Sequence, residues 1–186
     1  YSGRWIILTA FIMGMGLGIH RLNLLVIPAL IFVFYFRKYR ISRNGIIKVI
    51  LLSVLILWFI VFVLIPGVPK AAGWFELFFV NVAGLPFNSG LLFFVIVLAA
   101  ALIAGIKYSI DNNRVILNYV MTILAVIMIG YSSYAMIMIR SSARPPMNQN
   151  NPSDIFSLSY YINMEQYGSA PKLYGHYYSA PVTDVR

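Results

Sequence analysis

Apolar residues come in five long blocks along this chain, each bounded by charge, Pro or Gly, and those bounds predict the elements. Trp5 to Ile19 and Leu22 to Phe36 carry no charge except Arg21 beside the second. Each block is about 15 residues, or roughly 22 Å of helix, against a hydrocarbon core of about 30 Å. Between them lies His20-Arg21-Leu22-Asn23. One helix through all of it would be about 48 Å long with polar groups in mid-membrane, so the pattern predicts a pair of short helices over 5–36 meeting at a polar bend. Gly14, Gly16 and Gly18 allow close packing or a break before the bend.

The third block, 46–65, reads as a full-length span stopped by Pro66-Gly67-Val68-Pro69. The fourth extends over about 90–108, and the fifth, 115–139, has about 25 uncharged residues and crosses with tilt to spare. The stretch 66–89 reads as an outer loop, too short and interrupted to span, lying in the interface as an amphipathic or re-entrant element. These passes give a membrane region over 1–139. From Arg140 the chain changes solvent: 140–186 is polar and rich in Tyr, Asn and Pro, with no apolar run long enough to cross. Pro145-Pro146 breaks the helix, and Asn151-Pro152 with Ser153-Asp154 are start signals for a short helix near 153–167, ending by Gly168.

Composition fixes the class. Hydrophobic residues make up 61% and charged residues 10%, with a mean hydropathy of +0.83, whereas soluble domains carry about 25% charged residues. Lipid must be the solvent, and the fold class is an all-α, polytopic membrane protein. The net charge of +9, from 14 Lys+Arg against 5 Asp+Glu, would suggest nucleic acid in a soluble chain. Here the basic residues flank the apolar blocks as membrane anchors do, and nucleic-acid binding is set aside. With no cysteine there is neither a disulfide nor a thiolate metal site, and the two histidines and few acids give no metal-ligand spacing. No cofactor is implied. The chain opens on Tyr1 without the n-region of a signal peptide, and reads as a piece of a longer polypeptide.

Charge also orients the passes. Arg37, Lys38, Arg40, Arg43 and Lys48 cluster between the second and third blocks with no acid among them, which assigns that loop to the cytoplasm. Counting crossings then sends the His20 bend, the 66–89 loop and the tail to the non-cytoplasmic face, with membrane lipid as the first partner.

Candidate chemistry gathers on that face. His20, Arg21 and Asn23 sit at a membrane boundary, where the imidazole and the guanidinium suit contact with a lipid-linked phosphate, and hydration of a helix turn is the plainer reading. Glu76 and Asn81 are polar within an aromatic stretch. Glu76 is read as the surface partner of Lys70, with a buried pocket acid as the alternative. Arg140, which closes the last span, is with His20 a candidate for contact with the lipid phosphate. Asn148, Asn150 and Asn151 follow, then Glu165 and Tyr167. Tyr160, Tyr161, Tyr167, Tyr174, Tyr177 and Tyr178 suit an aromatic belt or stacking on sugar rings.

Three stretches carry a family resemblance: RWIILTAFIMGMGLGIHRLNLLVIPALIFVFYF, IPGVPKAAGWFELFFVNVAGLPFNSG and IGYSSYAMIMIRSSARPPMNQNNPSDIFSLSYYINMEQYGSAPKLYGHYYSAP. The chain resembles an interior section of the bacterial membrane-protein family known as domain of unknown function 2723, similar to protein O-mannosyltransferases of the transmembrane protein 260 type. That resemblance implies part of a C-type glycosyltransferase helical bundle in the bacterial inner membrane, with its polar tail on the periplasmic side. The implied reaction transfers a sugar from a polyprenyl-phosphate donor to a protein or other acceptor. The catalytic Asp of such enzymes is expected upstream of Tyr1, so no catalytic residue is assigned here. His20 and Asn23 match a Gly-x-His-x-x-Asn pattern, and Asn148, Asn150, Asn151, Glu165, Gln166 and Tyr167 match the tail pattern; of these, all but Gln166 are read as substrate-binding residues. The alternative from another class is a non-catalytic membrane subunit whose tail docks a periplasmic partner. A transporter ranks last, since the full-length spans hold no ionisable core residue.

Overall fold

Bends in the backbone, rather than loops, set the shape of the molecule. The computed structural model describes residues 2–168, which are all-helical with no strand among them. The fold is that of an all-α, multi-pass membrane protein. Helix α1 (Ser2–Ile19) ends at His20, whose backbone is extended, and a tight 3-10 turn over Arg21–Leu25 leads into α2 (Val26–Lys38). The bend is held by Gly16, whose carbonyl accepts from the His20 N–H and from Asn23 Nδ2, both at 2.9 Å. A short extended stretch then opens α3 (Arg43–Trp58), capped by Ser42 Oγ on the Gly45 N–H at 3.1 Å.

At Pro66 the structure departs from the pattern. Helix α3 does not stop there but passes through a π-helical turn, Phe59–Leu64, into α4 (Ile65–Asn81), giving one 39-residue helix over Arg43–Asn81. Most of the expected 66–89 loop is therefore helix, and only 82–88 turns. The physical reason lies in two local accommodations. The π turn widens the helix just before Pro66, with the Ile65 N–H donating to the Ile60 carbonyl five residues back. Pro69 has no N–H for the Ile65 carbonyl, and the Tyr131 hydroxyl donates to that carbonyl instead, at 2.9 Å.

Helix α5 (Ser89–Asp111) and the run α6 (Val115–Tyr131) with α7 (Ser133–Ser142) are the other two helices long and apolar enough to cross a membrane. Side chains such as Leu92, Ile96, Ile103 and Ile116 point outward, as lipid permits and water would not. The helices α4, α5 and α6 form consecutive antiparallel hairpins through short turns. Helix α1 lies parallel to α6, since Gly3 faces Tyr119, Gly14 faces Ile127 and Gly18 faces Ser133. The crossing is glycine on glycine: a Cβ on Gly130 would sit 2.5 Å from the Gly14 carbonyl carbon and the Met15 nitrogen. In lipid, where apolar burial gives little drive to associate, such backbone contact supplies the packing.

The tail returns to this bundle. Asp154 Oδ1 caps α8 (Ile155–Ile162) by accepting from the N–H groups of Phe156 (2.8 Å) and Ser157 (2.9 Å). Ile155, Leu158 and Ile162 recur at helical spacing and are buried, in one cluster with Leu17, Leu24, Leu64, Ile65 and Ala72.

Candidate functional site

The parallel run of α1 with α6, and the two hairpins, bring the His20 bend, the 82–88 turn and the exit of α7 to one end of the bundle. There a cleft of about 200 Å³ opens between the end of α1, α7 and the tail. His20, Tyr134, Tyr161, Gln166 and Tyr167 supply its polar groups, and Leu17, Ile137 and Ile162 its apolar wall. At that size it accepts a ring or a head group, since pockets for whole drug-sized ligands run from about 300 Å³. A larger but open depression is lined, among the described residues, by Arg4, Trp5 and Leu8 of α1.

Each wall of the cleft is fixed by the backbone. His20 Nδ1 accepts the Leu22 N–H at 3.2 Å, so the ring proton sits on Nε2, leaving that nitrogen as a donor. Tyr134 donates its hydroxyl to the Leu17 carbonyl at 2.8 Å, tying α7 to the last turn of α1, whose carbonyls lack helical partners. Its ring packs on that of Tyr131, centroids 4.9 Å apart, so one tyrosine pair holds both the end of α1 and the Pro69 gap in α4. Gln166, from the turn Glu165–Tyr167 after α8, has its Oε1 buried without a hydrogen-bond partner, and Ser133 Oγ beside Gly18 is likewise unpartnered. Buried polar atoms of this kind are uncommon and ask for an explanation.

Of the residues the sequence singled out, His20 and Tyr167 meet in this cleft. Glu165 is exposed at its rim, accepting from Asn163 Nδ2 at 3.3 Å. Asn23 lies behind, its amide spent on Gly16. Asn148 and Asn151 form a separate knot around Ser141: Asn148 Nδ2 donates to the Ser141 carbonyl (3.2 Å) and to Asn151 Oδ1 (2.8 Å), while Ser141 Oγ lies 2.9 Å from Asn148 Oδ1. That knot caps the end of α7, in whose last turn Arg140 is exposed. Asn150 is an exposed turn residue with φ 59°, and Asn81 is exposed at the end of α4. Tyr174, His176, Tyr177 and Tyr178 lie outside the described residues.

Glu76 is not the surface partner of Lys70. Its side chain is 1% exposed, and its two carboxylate oxygens accept the N–H groups of Asn88 and of Leu91 (2.9 Å), capping α5 from the neighbouring helix. Gly90 permits this, because any Cβ there would collide with the backbone of Phe75 and Glu76. Lys70 lies over the Trp74 ring, 5.9 Å from its centroid. Sequence reasoning also passed over Tyr131 and Tyr134. The available signal was YSSY, a polar cluster at one-turn spacing inside an otherwise apolar span.

The fold is that of a multi-pass membrane protein with a small cleft at one end of its helices. Residues 1–43, which include α1, the His20 bend and α2, match the family model described as protein O-mannosyl-transferase TMEM260 N-terminal domain. Over that segment the chain is similar to an O-mannosyltransferase-like glycosyltransferase. No curated protein and no solved structure matches the chain.

Proposed function

We propose that this chain is part of a membrane glycosyltransferase that transfers a sugar from a polyprenyl-phosphate donor to a protein or other acceptor on the extracytoplasmic face. The observation that carries the reading is His20. It lies within the segment matching the O-mannosyltransferase model, and its imidazole, which accepts a backbone N–H at Nδ1, lines a cleft closed by the tail. In this reading Nε2–H donates to an oxygen of the sugar phosphate, and Gln166 Oε1 accepts from a sugar hydroxyl. The rings of Tyr161 and Tyr167 face the sugar. The carrier's isoprenoid follows the exposed apolar helix faces. Arg140 joins His20 on the lipid phosphate, Glu165 and the Asn148–Asn151 turn shape the acceptor or sugar side, and Asn23 and Glu76 hold elements in place.

In the same reading the membrane is the bacterial inner membrane, the tail lies on its periplasmic side and the helices belong to a C-type bundle; the basic α2–α3 loop supports the orientation, and the sequence resemblance supports the rest. The acid that activates the acceptor is assigned to sequence outside this chain. A photoreactive polyprenyl-phosphate sugar tests the site: it should crosslink to the wild-type protein, and to a Lys107→Gln control, about tenfold more than to His20→Ala or Gln166→Ala. Equal crosslinking in all of them rejects the cleft as the donor site.

A further inference from the structure

The opposite end of the bundle carries a surface that this reading does not use. Arg40 on the turn between α2 and α3, Arg37 and Lys38 in the last turn of α2, and Arg43 and Lys48 in the first turns of α3 are all exposed, and the first acidic residue in the whole chain is Glu76. The turn is rigid. Tyr35 is buried beneath it, donating its hydroxyl to the Arg40 carbonyl at 3.1 Å and accepting the Ser42 N–H at 3.3 Å. Gly45 sits so close against the Tyr35 hydroxyl that no side chain fits between them. Five cations thus gather around one rigid turn, with no ion pair to an acid among the described residues. One of them, Arg43, lies in the first turn of α3, where the helix dipole adds positive charge and no acid offsets it. Lys38 is propped over the rings of Phe34 (5.4 Å) and Tyr39 (5.8 Å) rather than over an anion.

The surroundings point to the class of anion. Tyr39 and Ile41, beside the cations on the same turn, are 54% and 69% exposed, and α2 and α3 turn Val33, Ile47 and Leu51 outward just beyond. A soluble anion would leave that apolar rim in water, whereas a phosphate joined to acyl chains covers both parts. We propose that the Arg37–Lys48 turn binds the head group of an anionic phospholipid, its phosphate among Arg40, Arg43 and Lys38 and its chains along α2 and α3. The matching charge at this end is weaker elsewhere, since Lys107 and Arg114 stand beside Asp111.

The experiment uses the full chain in lipid nanodiscs of phosphatidylcholine with and without phosphatidylglycerol, with retained lipids counted by native mass spectrometry. Wild type should retain phosphatidylglycerol over phosphatidylcholine by about tenfold. The combined R37Q/K38Q/R40Q/R43Q variant should lose that preference, and the all-lysine version of the same positions should keep most of it. The R40Q variant alone, which leaves the backbone bond to Tyr35 in place, should reduce the preference and guards against misfolding of the multiple variant. Equal retention of the two lipids by wild type overturns the proposal, as does an unchanged preference in R40Q and the combined variant. Displacement of the lipid by inorganic phosphate at equal concentration also overturns it, because the site would then be one for a free anion.

Discussion

Pro69 takes an N–H out of a helix that continues regardless, and the freed Ile65 carbonyl is served instead by Tyr131, 66 residues from it in sequence. Tyr131→Phe should therefore strand the buried Ile65 carbonyl and cost about 1–3 kcal/mol, read as unfolding in mixed micelles. Pro69→Ala supplies an N–H to the same carbonyl, so in that background Tyr131→Phe should cost less than half as much. Equal costs in both backgrounds would show that the hydroxyl does not serve this carbonyl. Glu76 makes a second case, since Glu76→Ala removes the only acceptor for two N–H groups at the start of α5. It should destabilise by about 2–4 kcal/mol, with Glu76→Gln losing less. Neither arrangement was legible in the sequence. Local spacing offered Lys70 to Glu76, six residues away, whereas the true partners were backbone groups across a hairpin, at a contact that only Gly90 permits. His20 was legible because a polar residue between two apolar blocks has to bend the chain wherever it goes.

Among elements, the apolar blocks marked where the helices lie, and charge and polarity marked several of their ends. The failure at Pro66 has a general cause. Proline breaks a helix in water, where freed carbonyls are hydrated, but in a bundle a neighbour's hydroxyl and a π turn can satisfy them. The tail helix was signalled by Ser153-Asp154, while its burial against α4 and α1 rested on Ile155, Leu158 and Ile162 reading as one face. Packing of α1 on α6 depends on glycine at both surfaces of the crossing. Gly130→Leu should push α1 away, lower the unfolding midpoint and abolish donor crosslinking at His20 together. Gly67→Ala is the control: nothing lies within 4 Å of that position, and it should leave both unchanged. Loss of stability without loss of crosslinking in Gly130→Leu would contradict the role given to this crossing.

At the scale of the whole molecule, the helices put the His20 cleft at one end and the cationic turn at the other. The absence of cysteine makes this directly measurable. Single cysteines at Asn81 and Asn150 should react with an impermeant maleimide from one side of sealed vesicles, and those at Arg40 and Asn112 from the other. Labelling of Asn150 and Arg40 from the same side would refute the arrangement. The most direct test of the central claim is sugar transfer by the complete polypeptide containing this chain, from a radiolabelled polyprenyl-phosphate sugar. His20→Ala should cut transfer by about tenfold or more while membrane insertion stays normal; undiminished transfer by a correctly inserted His20→Ala protein would contradict it.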